Sequence, residues 1–252
     1  MSSAQPSRPL TAASRQLLVV VAAHWESRAG RLQRFARAGV DGGWQPVGDA
    51  LAVSLGRAGL AWGRGLHPPA AGAGPRKREG DGRSPAGVFA ITTLFGDAES
   101  PLARTAKLPY LAASAALKAI DDPASAHYNR IVDLSSLARP DWTSCEDMLR
   151  AGGRYAIGAV VAHNADPPLP GAGSCIFLHV WECEGAPTAG CTAMPRTAMS
   201  DLAGWLDGAA TPLLVQLPQA EYESKRAEWG LPLFVPKPVG TPCGEPGDMP
   251  LR

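Results

Sequence analysis

Short apolar runs, separated by polar stretches that contain glycine and proline, dominate the chain. Residues 16–23 form an apolar run of strand length, and residues 50–55 form a second one before Gly56. Residues 88–93 are apolar and β-branched, which is typical of a buried strand, and residues 155–162 have the same character. The pattern therefore predicts a mainly β fold built from short strands.

Helical periodicity is confined to a few segments. Residues 195–207 begin with Pro195, which suits the first turn of a helix, and apolar residues then recur at helical spacing. Ser144 followed by Asp147 has the form of a capping box and predicts a second, short helix. Residues 110–120 stay open between a helix, which their alanines favour, and a strand. We expect a few short helices on a β framework.

Composition agrees with this picture and bounds the domain organisation. The 252 residues include 28 glycines and 24 prolines, which favours many strands joined by turns. Residues 1–15 are rich in Ser, Pro, Ala and Arg, so we expect disorder there. Residues 16–252 are expected to form a single domain with a Pro/Gly-rich C-terminal tail, and residues 67–83 form a loop within it.

Charge and hydropathy exclude several classes of partner. The net charge is +1 and the basic residues are dispersed, so nothing indicates nucleic-acid binding. No run of 18 apolar residues exists, so we expect no membrane span. Residues 17–23 faintly resemble a secretion signal, but no good small-residue cleavage site follows, and a buried strand is favoured. The sequence leaves the compartment and the oligomeric state open.

The cysteines and histidines are the candidate chemical groups. Five cysteines leave at least one thiol unpaired. His179, Cys183 and Cys191 are residue types that bind zinc, but the chain has no paired C-x-x-C or H-E-x-x-H spacing. We therefore predict no metal site.

Residues 176–195, IFLHVWECEGAPTAGCTAMP, carry the strongest candidate. The segment 174–181 alternates as a strand does, with aliphatic residues on one face and Cys175, Phe177, His179 and Trp181 on the other. His179 on that face either packs in a second buried layer or lies on the floor of a cleft. Because no Asp or Glu occupies an obvious triad position, we expect its second ring nitrogen to be held by a backbone carbonyl or a neutral polar group.

Cys191 favours the cleft interpretation. It precedes the helix predicted at residues 195–207, where free N–H groups and the helix dipole would favour a readily alkylated thiolate and hold an oxyanion. Gly190 lets the backbone approach a substrate carbonyl closely. The short, turn-rich connection would bring Cys191 near His179, as a cysteine nucleophile with a nearby base requires.

These residues resemble the catalytic signature of the L,D-transpeptidase (YkuD) family, in which a histidine is followed by Ser/Thr-His-Gly-Cys. His179 matches the first histidine, Thr188 the Ser/Thr, Gly190 the glycine and Cys191 the nucleophile. Ala189 stands where the second histidine of the usual pattern would be, and the spacer is that of a short-spacer branch. The stretches DGRSPAGVF and DDPASAHYNRIV are similar to further parts of the family pattern.

The resemblance implies a β-sandwich-like catalytic fold and acyl transfer on peptidoglycan stem peptides, without metal or organic cofactor. Cys191 would attack the carbonyl after the third stem residue, expel the terminal D-residue and form a thioester, while His179 moves the proton. The backbone N–H of Cys191 is the candidate oxyanion donor. A periplasmic or cell-envelope location is also implied. The alternatives are a purely hydrolytic L,D-carboxypeptidase or amidase, and a non-catalytic wall-binding module with an inert thiol.

Substrate-binding residues are expected on either side of this pair. Trp181 shares the strand face of His179, and the loop carrying Tyr128, Asn129 and Arg130 is polar and turn-rich. We predict that these four residues line the cleft together with Thr188. The alternative for Tyr128 is that it packs beneath its own loop.

Overall fold

The computed structural model describes residues 9–69, 72–150 and 152–234. Its strands are β1 (Gln16–Ala22), β2 (Ala29–Ala36), β3 (Gln45–Ser54), β4 (Leu60–Trp62), β5 (Ser84–Gly96), β6 (Tyr110–Ala112), β7 (Leu117–Ala119), β8 (Ile131–Asp133), β9 (Glu146–Asp147), β10 (Ile157–Val161), β11 (Phe177–Val180), β12 (Thr192–Met194) and β13 (Leu213–Pro218). Its α-helices are α1 (Leu102–Thr105), α2 (Arg196–Trp205) and α3 (Gln219–Trp229). The fold is mainly β with a few short helices, as the sequence predicts.

One large sheet closes on itself through the long strand β5. The strand order is β10-β11-β12-β3-β2-β1-β13-β5-β4, and β5 also pairs with β10. Residues 87–90 of β5 pair with β13, and residues 91–96 pair with β10. The strand therefore passes from one side of the β structure to the other, which suits the expected sandwich-like arrangement. A smaller sheet has the order β8-β7-β9.

The main core lies inside this closed sheet and beneath the helices. All seven residues of β1 are buried, since the strand is covered on both faces, and this explains its continuous apolar sequence. The helix expected at residues 195–207 is confirmed as α2, which buries Met199 and Leu202. Helix α3 packs Tyr222 and Trp229 against the same core.

Strand pairing decides the structure of three segments. The helix predicted from Ser144 and Asp147 is wrong, because Glu146–Asp147 pairs with β7 as strand β9. Residues 110–120, which the sequence left open, contain strands β6 and β7. The polar stretch after β1 contains β2, and its polar residues gave no strand signal in the sequence. Pairing with a neighbour supplies stability that local propensity alone does not indicate.

Residues 9–15 differ from the disorder that we expected over residues 1–15. The hydroxyl of Thr11 donates a hydrogen bond to the Trp229 carbonyl over 2.9 Å, and Ser14 is fully buried. Residues 1–8 and the C-terminal tail from residue 235 lie outside the described part of the chain. Within the described part, no helix is both long and apolar enough to span a membrane.

Candidate active site

Strand β11 separates two buried clusters, as its alternating sequence predicts. Its aliphatic side chains belong to the main core. Cys175 and Phe177, on the other face, belong to a smaller cluster that also contains Cys191, Phe95 and Tyr155. The rings of Phe95, Tyr155 and Phe177 meet edge to face. The candidate nucleophile is therefore packed in a buried aromatic cluster.

The parallel pairing of β12 with β11 positions Cys191. In the register, Thr192 lies opposite Leu178 and Ala193 lies opposite His179. Cys191 immediately precedes β12, so its sulfur reaches the start of β11. There the backbone N–H of Phe177 donates to Sγ over 3.4 Å, and the thiol donates to the carbonyl of Cys175 over 3.5 Å.

A cleft of about 170 Å³ contains the two candidate catalytic side chains. The sequence-predicted residues that line it are His179, Trp181, Thr188 and Cys191, together with Ala189. Further lining residues that the sequence analysis did not single out for a role include Glu146, Arg150, Arg154 and Tyr155. The structure therefore brings together the histidine and cysteine on which the sequence argument rests.

His179 has the tautomer that a base needs. Its Nδ1 lies 2.8 Å from the carbonyl oxygen of Val180, an acceptor, so Nδ1 carries the proton and donates it. The neutral ring therefore has its lone pair on Nε2. Burial lowers the pKa of His179 to about 4, so the ring is neutral at pH 7. The predicted orienting group, a backbone carbonyl, is present.

The expected helix N-terminus at Cys191 is absent. The three residues of β12 stand between Cys191 and α2, which begins at Arg196. Burial raises the pKa of the thiol to about 12 and the charge of Glu146 acts in the same direction, against the Phe177 N–H. Cys191 is therefore a neutral thiol in the free protein. Our thiolate prediction took sequence proximity to a helix for spatial proximity, and the intervening strand makes it wrong.

Among the described residues, His179 and Cys191 share no hydrogen bond. The thiol is instead held by the backbone at Cys175 and Phe177. Direct proton transfer to His179 therefore requires the thiol to rotate away from the Cys175 carbonyl.

Thr188 and Gly190 shape the loop that presents the cysteine. The Thr188 hydroxyl donates to the carbonyl of Cys191 over 2.6 Å and accepts from the N–H of Gly190 over 3.1 Å. Gly190 has φ = 155°, and a Cβ there would lie 3.0 Å from the backbone oxygen of Arg83. A side chain at this position would press against that backbone. Ser84 adds a second hydroxyl donor to the Cys191 carbonyl, at 3.1 Å.

The residues 128–130 lie elsewhere than we expected. Tyr128 is 2% exposed and does not line the cleft; its hydroxyl donates to Glu79 over 2.5 Å. Asn129 and Arg130 line a separate cavity of about 360 Å³, which contains neither His179 nor Cys191. The prediction that these three residues share the cleft with Trp181 is corrected in this respect, because the loop turns the Tyr128 ring inward, where its hydroxyl meets the half-buried carboxylate of Glu79.

Asn129 has a structural connection to the nucleophile. It has φ = 59°, and its side-chain oxygen accepts from the N–H of Cys175 over 2.9 Å. Its amide group donates to the carbonyls of His163 and Asn164. Asn129 thereby fixes the Cys175 turn, whose carbonyl holds the thiol of Cys191.

A charged group that the sequence patterns did not reveal lines the cleft. Tyr155 donates to Glu146 over 2.5 Å, and Nη1 of Arg150 donates to the same carboxylate oxygen over 3.1 Å. The Tyr155 ring lies edge to face with His179, at 5.4 Å between centroids. The available signal was the position of Tyr155 just before β10, because β10 pairs with β11 opposite His179. Reading residues 144–152 as a helix concealed it.

Among the described residues, no group of three or more His, Cys, Asp or Glu side chains could hold a metal ion. No curated protein and no solved structure matches the chain. A family model of the L,D-transpeptidase catalytic domain, YkuD, matches residues 28–242. The chain therefore belongs to the YkuD family of L,D-transpeptidase catalytic domains.

Proposed function

We propose that this protein is a cysteine-dependent acyltransferase that acts on the stem peptides of peptidoglycan. The YkuD family acts on such peptides, and its members are typically extracytoplasmic enzymes of the cell wall. The observation that carries the proposal is the single cleft in which His179 and Cys191 lie together. A periplasmic or cell-envelope location follows from the same family membership.

In the first step, Cys191 Sγ attacks the carbonyl carbon after the third stem residue. Nε2 of His179 accepts the thiol proton and then gives it to the departing amine of the terminal D-residue. The C–S bond forms first and gives a tetrahedral oxyanion; the C–N bond then breaks, and a thioester remains on Cys191. In the second step an amine of another stem attacks the thioester, His179 accepts the proton that this amine loses and gives it to the departing sulfur. Attack by water instead would make the enzyme a carboxypeptidase.

Burial sets the order of events at the thiol. The pKa of Cys191 is raised to about 12 and that of His179 lowered to about 4, so an ion pair is disfavoured in the free protein. We infer that the thiol ionises only with substrate bound, when the developing negative charge can pass to the substrate oxygen. The backbone N–H of Cys191, with a neighbouring N–H, is the proposed donor to that oxyanion.

The side chains around the cleft fit a short peptide with charged groups. Trp181 offers an aromatic surface, and Glu146, Arg150, Arg154 and Glu182 supply both signs of charge. Ala189 leaves the position of the usual second histidine without a hydrogen-bonding side chain. Thr188 acts through the loop that carries Cys191, so we propose a positioning role for it.

The buried, neutral state of Cys191 also favours a second candidate, a wall-binding module with an inert thiol. A thiol that has a raised pKa and donates no hydrogen bond to a base among the described residues is the arrangement expected of a structural cysteine.

A single experiment separates these functions. The protein is incubated with a tetrapeptide-stem donor, with and without an acceptor that carries a free amine, and the products are separated by mass. We expect a crosslinked product that requires the acceptor, together with a thioester on Cys191 trapped by acid quench. Cleavage without crosslinking would identify a carboxypeptidase, and an unchanged donor without thioester would favour the binding module.

A further inference from the structure

Arg150 is one of two arginines that line the cleft, and it lies against both a carboxylate and an aromatic ring. Its Nη1 donates to Glu146 over 3.1 Å, and its guanidinium lies 5.4 Å from the centroid of the Tyr155 ring. Glu146 is itself held by the Tyr155 hydroxyl. The guanidinium is thus fixed on one side by a carboxylate and on another by an aromatic face.

The remaining donors of Arg150 are available to a ligand. Its hydrogen bonds to described residues run through Nη1 alone, to Glu146 and, more weakly at 3.5 Å, to the Tyr155 hydroxyl. The side chain is 46% exposed and lines the cleft. A guanidinium with unused N–H groups presents the fork that matches a carboxylate.

Arg154 lines the same cleft but differs in its setting. It is equally exposed, at 46%, and Nη2 donates over 2.5 Å to Glu182, which is 68% exposed. Its partner lies on the turn after β11, and no aromatic ring of the described residues stacks on its guanidinium. Arg154 therefore provides an internal comparison for Arg150.

We propose that Arg150, held by Glu146 and Tyr155, binds the free carboxylate of the terminal D-residue of the donor peptide and so selects donors that end there. This inference rests on the proposed function. The terminal carboxylate is one residue from the attacked carbonyl, so a cation on the wall of the cleft that contains Cys191 is suitably placed. The Arg150 charge also acts on the sulfur, since it lowers the pKa of Cys191 against the larger effect of burial.

Binding of this carboxylate would favour acylation by donors that end in the terminal D-residue. A donor extended by one residue places a neutral amide where Arg150 would bind an anion, so the charge-assisted hydrogen bonds to the ligand are lost. Glu146 accepts from Tyr155 and from Nη1 of Arg150, and the other N–H groups of Arg150 remain for the ligand. Selection by charge is thereby built into the cleft wall.

The test compares two donors of identical sequence, one ending in a free carboxylate and one in a primary amide. Thioester formation on Cys191 is measured by mass spectrometry for the wild type and for Arg150→Met, Arg150→Lys and Arg154→Met. We expect the wild type to prefer the acid at least about tenfold, the effect of one charge-assisted hydrogen bond. Arg150→Met should bring the ratio near one, and Arg154→Met should keep the wild-type ratio.

A second measurement keeps the inference testable without turnover. The affinities of the Cys191→Ala protein for both donors are measured by calorimetry, with and without Arg150→Met. Their ratio reports the preference for the acid donor in the absence of acylation. If the binding preference for the acid donor depends on Arg150 but the wild type is not acylated, the carboxylate site is supported and the proposed function is rejected. The inference would be overturned if the wild type bound and acylated the acid and amide donors equally. It would also be overturned if the preference for the acid donor survived Arg150→Met. Melting temperatures of the variants verify that they fold.

Discussion

The backbone N–H of Phe177 donates a hydrogen bond to the sulfur of Cys191 over 3.4 Å. Phe177 is the first residue of β11, so this contact ties the candidate nucleophile to the strand that carries His179. The N–H lowers the pKa of the thiol, but burial outweighs it and the pKa rises to about 12. The candidate nucleophile is therefore placed by the strand, and its surroundings keep it uncharged in the free protein.

Replacement of the sulfur should separate catalysis from folding. We expect Cys191→Ala to abolish thioester formation and turnover, while losing about 1 kcal/mol of stability as a small buried group is removed. Cys183→Ala is the matched control, since Cys183 is exposed and does not line the cleft. Turnover and urea denaturation measure the two effects. Full activity in a folded Cys191→Ala protein would end the covalent mechanism.

The order of cysteine alkylation should follow burial. At pH 7 we expect the exposed Cys183 to be labelled before Cys191, which reverses the order that a helix N-terminus would have given. Because the pKa of Cys191 is raised to about 12, its thiolate fraction should grow about tenfold per pH unit through the alkaline range. Peptide mapping after brief alkylation at several pH values measures both. A Cys191 rate that levels off near neutral pH would contradict this prediction.

The Thr188 hydroxyl should matter for activity through the cysteine loop. Thr188→Ala removes the donor to the Cys191 carbonyl and the acceptor for the Gly190 N–H, at a cost of about 1–2 kcal/mol and with a lower rate of thioester formation. Thr188→Ser keeps the hydroxyl and should retain most of both. Acylation rate and thermal denaturation are measured together. Equal rates in the two variants would exclude the positioning role.

Tyr128 should contribute to stability rather than to turnover. Tyr128→Phe removes the partly buried hydrogen bond to Glu79 and should destabilise the fold by about 1.5 kcal/mol, because the acceptor is a carboxylate. The rate of acyl transfer should stay unchanged, whereas Trp181→Ala, which alters the cleft itself, should raise KM. Guanidinium denaturation and steady-state kinetics distinguish the two. A large loss of activity in stable Tyr128→Phe would return this residue to the substrate site.

Acid should destabilise the fold through its buried histidines. Burial lowers the pKa of His67, His163 and His179 from the usual value of 6.5. The pKa falls to about 3 for His163 and to about 4 for His179. Below pH 6.5 the unfolded chain gains protons that the folded chain does not, so stability falls as pH decreases towards 4. The slope approaches about 1.4 kcal/mol per pH unit for each of the two histidines whose pKa is lowered to about 3 or 4. Melting temperatures at a series of pH values test this, and His179→Gln should make the slope shallower.

The sequence by itself determined much of the fold and the identity of the candidate pair. The apolar run of β1, the β-branched residues of β5 and the helical spacing of α2 each depend on local periodicity, which the chain displays directly. The alternation in β11 separated the core face from the face of His179 for the same reason. The Gly190-Cys191 pair and its spacing from His179 are likewise visible directly in the sequence.

The tertiary structure alone decided the electrostatics of the site and the composition of its walls. Strand β12 inserts between Cys191 and α2, so a thiol expected at a helix N-terminus is a buried neutral group. Strand β9 forms because β7 is available to pair with it, and this brings Glu146 to the cleft. Tyr128 turns inward because Glu79 accepts a hydrogen bond from its hydroxyl. Burial and long-range pairing depend on residues far apart in the chain, and these relations, unlike periodicity, have no local trace in the sequence.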